Sequence, residues 1–252
     1  MTGILEGKKI IIMGVANKRS LAYGCFQALA EQGAQLILTY QNERMKRSID
    51  KFIPEDVLEV ECDVSEPENV KAAFDTIKAT VGNVDGIIHA IAYADPEDLS
   101  GQTTDAGLES FEKAQAISVY SLISAAKYGR EMMNEGGSIV TLTYMGSERA
   151  VPNYNIMGIA KAGLESTVRY LARDLAVQNI RVNAISAGAI KTLAVTGVKD
   201  YNKLIEISNE RAVNGEGVTI REVGDTAAFL LSPLSTGVVG DVIYVDKGTH
   251  LM

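Results

Sequence analysis

The chain has 252 residues, 46% of them hydrophobic, which is enough to bury a large core as a single domain over residues 1–252. A formal net charge of -8 argues against a nucleic-acid binder, because phosphate binding draws on clustered Lys and Arg. No apolar run approaches the ~20 residues that cross a bilayer, and the first residues lack the hydrophobic centre of a signal peptide. Cys25 and Cys62 lie in apolar contexts without metal-ligand spacing, which predicts buried free thiols and no metal site. We therefore expect a soluble, cytoplasmic protein that binds neither membrane nor nucleic acid.

Short apolar, β-rich runs alternate with amphipathic stretches along the chain, which is typical of a parallel sheet covered on both faces. Seven strands are predicted, at residues 8–14, 35–40, 57–64, 84–92, 137–144, 180–188 and 241–248. The stretches between them, including residues 118–137 and 161–179, suit right-handed crossover helices. Residues 189–218 have weaker strand character and are the predicted lid over a ligand site. The sequence thus predicts an α/β fold, a Rossmann-type doubly wound parallel sheet in a single domain.

The segment after the first predicted strand suits a dinucleotide phosphate. Gly14 ends that strand and would allow a sharp turn beside a pyrophosphate, and Gly24 would let the following helix pack closely. Ser20 suits either a helix cap or a phosphate contact. The spacing is not GxGxxG, and a strand, a glycine turn and a helix occur in most α/β proteins, so this motif alone is weak.

The ends of the second and third predicted strands bear on the choice of cofactor. In such folds an acidic residue after the second strand binds the adenosine ribose 2′-hydroxyl, and a basic one binds a 2′-phosphate. Gln41 is neither and Glu43 repels a phosphate, so NADH is favoured over NADPH, although Arg44 moderates that preference. Asp63 and Val64 are positioned to meet an adenine; the equal alternative for Asp63 is a cap on the next helix.

A tyrosine and a lysine after the fifth predicted strand form a candidate catalytic pair. Tyr154 and Lys161 are seven residues apart, nearly two helical turns, so they project from almost the same face. Met157 lies four residues before the lysine, so the commoner Tyr-x-x-x-Lys pair is absent. The pair follows a strand on the carboxyl side of the sheet, where doubly wound folds bind ligands.

Five segments form a more specific constellation in chain order: "GVANKRSLAYG", "CDVSE", "YMGSERAVPNYNIMGIAKAGLE", "IRVNAISAGAIKTLA" and "GVVGDVIYVDKG". Over essentially the whole chain they resemble the enoyl-acyl-carrier-protein reductases of the divergent short-chain dehydrogenase/reductase family. The resemblance implies NADH-dependent reduction of the trans-2,3 double bond of enoyl-acyl-carrier-protein thioesters in fatty acid biosynthesis. It also implies a homotetramer and acyl carrier protein as partner, for which the candidate docking residues are Lys199, Lys203 and Arg211.

The resemblance also implies roles for individual residues. Tyr154 and Lys161 match the family's Tyr-x6-Lys pair, Tyr144 matches its second active-site tyrosine, and Ala94 lies at the acyl site. For Tyr144, a half-buried aromatic side chain at a strand end is the alternative. The implied cofactor contacts are Gly14, Ser20, Leu21, Gln41, Asp63, Val64, Ile91, Lys161, Ile190, Lys191, Thr192, Leu193 and Ala194.

The chemistry of enoyl reduction accounts for the wide Tyr–Lys spacing. A carbonyl reductase delivers hydride to the carbon whose oxygen the tyrosine protonates, whereas an enoyl reductase delivers hydride to the β-carbon. The tyrosine must therefore lie further away. We expect Tyr154 to hydrogen-bond the thioester oxygen as an enolate forms, a contribution on the order of 3 kcal/mol. Lys161 is expected to bind the nicotinamide ribose hydroxyls.

Two features depart from the family pattern. A proline and basic residues are common after the substrate loop, but residues 213–217 are Val-Asn-Gly-Glu-Gly, and Lys247 stands where a small residue is frequent. Two alternatives stay open: a short-chain dehydrogenase that reduces a carbonyl, and a nucleotide-binding regulator without catalysis, which the intact Tyr–Lys pair disfavours. His89 and His250 lack partners at triad or metal spacing and are given no catalytic role.

Overall fold

The computed structural model describes residues 3–192 and 199–252, and the described residues form one seven-stranded, all-parallel sheet. The strands are β1 (Lys9–Met13), β2 (Gln35–Tyr40), β3 (Leu58–Glu61), β4 (Val84–His89), β5 (Met133–Thr143), β6 (Arg181–Ala187) and β7 (Val242–Val245). Their order across the sheet is β3-β2-β1-β4-β5-β6-β7. The chain therefore reverses its direction of strand addition between β1 and β4, which is the switch point where such sheets bind ligands.

Helices cover both faces of the sheet. They are α1 (Leu21–Glu31), α2 (Glu43–Ile49), α3 (Pro67–Val81), α4 (Leu108–Gln115), α5 (Ser121–Gly129), α6 (Asn155–Leu175), α7 (Tyr201–Arg211) and α8 (Ile220–Leu231). Helices α3, α5 and α6 pack on one face, and α1, α2 and α8 pack on the other. A π-helical turn, Ala116–Tyr120, joins α4 to α5. None of the described helices has both the length and the apolar character needed to cross a membrane.

The continuous apolar runs of the sequence arise because the strands are covered on both sides. In β1, Ile11 and Met13 face the core layer under α3, α5 and α6, whereas Ile10 and Ile12 face the other layer. Cys62 lies in the first of these layers and Cys25 lies in the second. Both are free thiols, as predicted, and burial raises the pKa of each to about 12.

Two glycines allow a close crossing of helices α1 and α8. A Cβ atom on Gly24 would lie 2.2 Å from the carbonyl oxygen of Ile220, and one on Gly224 would lie 2.3 Å from the carbonyl oxygen of Gly24. Both contacts are with backbone atoms, which cannot move aside as a flexible side chain does. The close helix packing predicted for Gly24 is therefore present, with α8 as the partner.

The sequence located all seven strands, but several predicted segments have the wrong extent. The strands predicted at residues 57–64, 84–92 and 241–248 end at Glu61, His89 and Val245, and the residues beyond them are not part of the sheet. Residues 118–137 were predicted to be helical throughout. Helix α5 instead ends at Gly129, and β5 begins at Met133 because that residue pairs with β4.

The predicted lid, residues 189–218, is helical in part. Helix α7 occupies its centre, and residues 193–198 lie outside the described part of the chain. Tyr201 and Leu204 of α7 pack against a small apolar cluster near the sheet edge. Helix α7 therefore lies beside the candidate site.

Candidate active site

The turn after β1 leaves no room for a side chain at Gly14. This residue has φ +101, and a Cβ atom there would lie 2.2 Å from the carbonyl oxygen of Ala90 and 3.3 Å from Cγ1 of Ile91. The fold thus brings together two predicted cofactor residues, Gly14 and Ile91, from β1 and the end of β4. Since this is the switch point of the sheet, the exposed backbone of the turn suits a dinucleotide.

Ser20 is the N-cap of α1. Its Oγ accepts a hydrogen bond of 3.2 Å from the backbone N–H of Tyr23 and donates one of 2.8 Å to the carbonyl oxygen of Asn17. Of the two roles weighed for Ser20, the cap is therefore present. Leu21 begins the helix, and its first turn contains no acidic residue, so the positive end of the helix dipole remains available to an anion.

Gln41 and Asp63 meet at the ends of β2 and β3. The amide nitrogen of Gln41 donates a 3.2 Å hydrogen bond to Asp63, which also accepts bonds of 3.0 and 2.8 Å from the N–H and hydroxyl of Ser65. Partial burial acts to raise the pKa of Asp63, but the hydrogen bonds from Ser65 and Gln41 outweigh it and lower the pKa. The alternative in which Asp63 caps the next helix is wrong, because Glu66 is the N-cap of α3. Val64 is buried beside this pair.

Lys161 is a buried lysine on α6. Its Nζ donates a 2.8 Å hydrogen bond to the carbonyl oxygen of Leu142 in β5. Burial lowers its pKa to about 8, although the charge of Glu165 opposes the shift. Glu165 lies one turn further along the helix and accepts a 2.6 Å hydrogen bond from the hydroxyl of Thr143. The lysine is therefore held against the end of β5 and is easily deprotonated for its type.

Tyr144 and Tyr154 face each other across the turn between β5 and α6. Their rings lie edge to face, with centroids 5.2 Å apart and planes at 75°. Gly146 permits the approach, because a Cβ atom there would lie 2.6 Å from Cδ1 of Tyr154. Burial raises the pKa of both phenols, and for Tyr154 the charges of Tyr144 and Glu165 add to the shift. Both side chains therefore stay protonated at neutral pH and can donate a hydrogen bond.

The predicted acyl-site residue, Ala94, belongs to an apolar cluster beside the tyrosines. The buried members of the cluster are Ala94, Leu99, Ala114, Ile156, Met157 and Ala160. Tyr154 packs against it from the start of α6, and Tyr201 and Leu204 pack against it from α7. Ala94 and Tyr154 thus border one apolar region. Tyr144 is half-buried at the end of β5, which fits both interpretations considered for it.

The predicted cofactor run at residues 190–194 is described only in part. The backbone N–H of Thr192 donates a 2.7 Å hydrogen bond to the carbonyl oxygen of Ile190, and Lys191 Nζ lies 5.8 Å from the ring centroid of Tyr201. Thr192 is buried. Leu193 and Ala194 lie outside the described residues.

Two functional candidates were missed in the sequence because each side chain bonds to a distant segment. Asn153 and Asn155 flank Tyr154 and have positive φ angles of 60° and 26°. Their amide groups donate hydrogen bonds to the carbonyl oxygens of Lys199 and Gly101, respectively. The only local signal is their residue type, because Asn tolerates positive φ better than most residues.

The two histidines lie in different surroundings. His89 is fully buried, with ring nitrogens 2.9 Å from the hydroxyl of Thr141 and 2.7 Å from that of Ser121. Burial and the nearby charge of Lys161 lower its pKa to about 3, so it is neutral at physiological pH. His250 bonds to Asp246 near the end of the chain. That neither histidine acts in catalysis stays a prediction.

Lys247 accounts for the unusual segment at residues 213–217. Its Nζ lies 3.3 Å from a carboxylate oxygen of Glu222 and 3.6 Å from one of Glu216, and its carbonyl oxygen accepts a 2.9 Å hydrogen bond from the N–H of Val213. Lys247 itself has φ +53. Residues 213–217 contain no basic side chain, and Lys247, which follows β7, brings a positive charge next to them.

A doubly wound sheet with a side-chain-free turn at its switch point is typical of dinucleotide-binding proteins. A buried lysine and two protonated phenols lie at the end of β5 in the same structure. The fold and the turn at Gly14 together place the protein in the class of dinucleotide-binding proteins. A sequence profile of the family described as "Enoyl-(Acyl carrier protein) reductase" matches residues 14–250. The chain belongs to this family, and the predicted family, fold class and enzyme class are confirmed.

Individual relatives match over nearly their full length. The enoyl-[acyl-carrier-protein] reductase [NADH] FabI of Enterococcus faecalis is 60% identical over 98% of this chain and 99% of its own length. The reductase of Staphylococcus aureus strain MRSA252, named for NADPH, is 49% identical over 98% of each chain. The crystal structure of the Bacillus cereus reductase with NADP+ and indole naphthyridinone has a TM-score of 0.96, 47% identity and 99% coverage of both chains.

Proposed function

We propose that this reductase uses NADH to reduce the trans-2,3 double bond of enoyl-acyl-carrier-protein thioesters in fatty acid biosynthesis, with Tyr154, Tyr144 and Lys161 as its catalytic residues. The observation that carries the proposal is the position of Tyr154. Its phenol is kept protonated by burial, and its ring borders both Tyr144 and the apolar cluster that contains Ala94. A proton donor beside an apolar acyl site suits a thioester oxygen at the end of a hydrocarbon chain.

The residues along the sheet edge fit a dinucleotide. The turn at Gly14 and the start of α1 at Ser20 and Leu21 would hold the pyrophosphate, while Gln41 would lie at the adenosine ribose. Asp63 and Val64 would meet the adenine. On the catalytic side, the proposed contacts are Ile91, Lys161, Ile190, Lys191, Thr192, Leu193 and Ala194. When bound, reduced nicotinamide supplies the hydride that reaches the β-carbon.

The protein's own residues stabilise the charge that develops on the substrate. Tyr154 donates a hydrogen bond to the thioester oxygen, an interaction that strengthens as the oxygen becomes an enolate and contributes on the order of 3 kcal/mol. Lys161 binds ribose hydroxyls and, while protonated, adds positive charge near the enolate. Tyr144 lies against the Tyr154 ring and orients the thioester. The apolar cluster excludes water from the acyl chain.

An NADH-oxidation assay tests this function. We expect the protein to oxidise NADH with a crotonyl thioester and to be much less active with a β-ketoacyl thioester. Tyr154→Phe should lower turnover while NADH affinity is kept, because the phenol contacts substrate and not cofactor. Faster reaction with the β-ketoacyl substrate would favour a carbonyl reductase, and no reaction with either would favour the regulator. An unchanged rate in Tyr154→Phe would remove this residue from the mechanism.

The choice of cofactor gives a second prediction, because family members named for NADPH exist. A charge-assisted hydrogen bond to a 2′-phosphate is worth roughly 1.5–3 kcal/mol, or about ten- to a hundredfold in affinity. Gln41 offers no charge, and its amide already bonds to Asp63. We expect kcat/KM to be at least about tenfold higher with NADH than with NADPH, and Gln41→Arg to shift the ratio toward NADPH.

Steady-state kinetics with both cofactors measure this ratio. Arg44→Ala is the matched control, since Arg44 is an exposed cation three residues away on α2. The control should leave the ratio unchanged. A loss of NADPH activity in Arg44→Ala would show that Arg44 reaches the ribose. Equal efficiency with both cofactors in the wild type, or a preference for NADPH, would show that some basic residue reaches it and that the role given to Gln41 is wrong.

We further propose a homotetramer that works in the cytoplasm on substrate carried by acyl carrier protein. Exposed apolar side chains on the neighbouring helical segments around α5 and α6 support subunit contacts there; they are Tyr120, Ile123, Ile159 and Tyr170. Lys199 precedes α7, and Lys203 and Arg211 lie on it; the three side chains supply positive charge for an acidic carrier. The two buried free thiols suit a reducing compartment.

A further inference from the structure

The turn that carries Tyr154 contains backbone conformations that need support. Asn153 has φ +60 and Asn155 has φ +26, while Tyr154 between them is the N-cap of α6 without a side-chain capping bond. Residues other than glycine persist in such conformations only where the surroundings hold them. The surroundings of these two asparagines should therefore determine where the phenol lies.

Each asparagine is bonded to a different wall of the acyl site. Asn153 Nδ2 donates a 3.0 Å hydrogen bond to the carbonyl oxygen of Lys199, two residues before α7. Asn155 Nδ2 donates a 3.2 Å bond to the carbonyl oxygen of Gly101, which follows the 3₁₀ turn Pro96–Leu99. Leu99 of that turn belongs to the apolar cluster containing Ala94, and α7 packs against the same cluster. The two amides thus connect the Tyr154 turn to both segments.

We propose that Asn153 and Asn155 are positioning residues that fix the Tyr154 phenol relative to the acyl chain by joining its turn to the Ala94 loop and to the start of α7. The inference rests on the proposed role of Tyr154. Neither asparagine is among the proposed cofactor contacts, so their loss should lower kcat and leave the KM for NADH nearly unchanged. A displacement of about 1 Å in a reacting group can lower a rate by as much as about a hundredfold.

Substitution by aspartate separates the hydrogen bond from the backbone conformation. Asp has almost the shape of Asn and also tolerates positive φ, but an ionised carboxylate cannot donate to a carbonyl oxygen. Asn153→Asp and Asn155→Asp therefore each remove one hydrogen bond, while the residue's tolerance of positive φ is kept. Asn179→Asp is the matched control, because Asn179 also has positive φ, 53°, and is exposed beyond the far end of α6.

The test is a double-mutant cycle with Tyr154→Phe, measured as kcat and as KM for a crotonyl thioester and for NADH, together with thermal stability. We expect Asn155→Asp and Asn153→Asp each to lower kcat by about tenfold or more in the wild-type background. In the Tyr154→Phe background they should have little further effect, because the group they position is gone. If an aspartate variant lowers the melting temperature, Asn155→Gly, which relaxes the backbone, is measured in its place. Asn179→Asp should match the wild type.

The outcomes distinguish this inference from the proposed function. If the asparagine variants lower kcat equally with Tyr154 and with Phe at that position, or if none of them lowers it, the positioning role is overturned while enoyl reduction stands. A wild-type protein that does not reduce the crotonyl thioester overturns the proposed function, and the inference with it. A loss confined to the Tyr154 background, with the KM for NADH and the melting temperature kept, supports the positioning role.

Discussion

Lys161→Ala and Lys161→Met are expected to lower kcat/KM for the enoyl thioester by at least about a hundredfold, the loss of one or two charge-assisted hydrogen bonds. The fold should remain intact. Burial lowers the pKa of Lys161 to about 8, below its value in an unfolded chain, so at neutral pH the buried charge opposes folding. Met keeps most of the side-chain volume, so the melting temperature of Lys161→Met should equal or exceed that of the wild type.

The same lysine predicts a pH dependence. The kcat/KM of an enzyme reports the pKa values of its free form, and Lys161 loses its positive charge as pH rises through about 8. The wild-type kcat/KM should therefore fall above that pH, and the residual activity of Lys161→Met should lack this decline. An identical decline in the variant would assign it to another group. Full turnover in Lys161→Ala would remove the lysine from the site.

Gly24→Val should be the most destabilising of the substitutions considered. The first carbon of the new side chain would lie 2.2 Å from a backbone oxygen of α8, so the two helices must separate. Overpacking of this kind costs about 1–3 kcal/mol or more, which for a domain of this size lowers the melting temperature by roughly 2–12 °C.

Thermal unfolding of Gly24→Val and of Gly237→Ala measures this effect against a control. A Cβ atom on Gly237 meets no atom within 4 Å, so that variant should unfold close to the wild-type temperature. A Gly24→Val protein as stable as the control would mean that α1 and α8 can move apart without loss, and that the glycines are not needed for their crossing.

Local sequence patterns predicted most of the fold and part of the candidate site. The apolar runs predicted every strand because residues such as Ile10 and Ile11 are buried on opposite faces of one covered sheet. Gly14 and Lys161 could be predicted as site residues from local sequence alone. Gly14 follows a strand at a turn, and Lys161 lies at helical spacing from Tyr154. Strand ends were less predictable, since the first residues of β5 are set by pairing with β4 and not by their own sequence.

The missed contacts join residues that are far apart in the chain. The bond from Asn155 to Gly101 spans 54 residues, and the bond from Asn153 to Lys199 spans 46. No periodicity or turn motif encodes such a pair, because each partner is a backbone carbonyl whose place depends on the complete fold. The contact of Lys247 with Glu216 could not be predicted for the same reason, although the sequence showed that both positions depart from the family pattern.

The attachment of residues 213–217 by charge has a consequence for the conditions under which the enzyme works. A proline, common at this point in the family, restricts the chain equally in every medium. The Lys247 pairs with Glu216 and Glu222 are partly exposed, and dissolved ions screen such pairs over about 8 Å at physiological ionic strength. The base of the lid is therefore held less firmly as the salt concentration rises, which makes its order a property of the surrounding solution as well as of the chain.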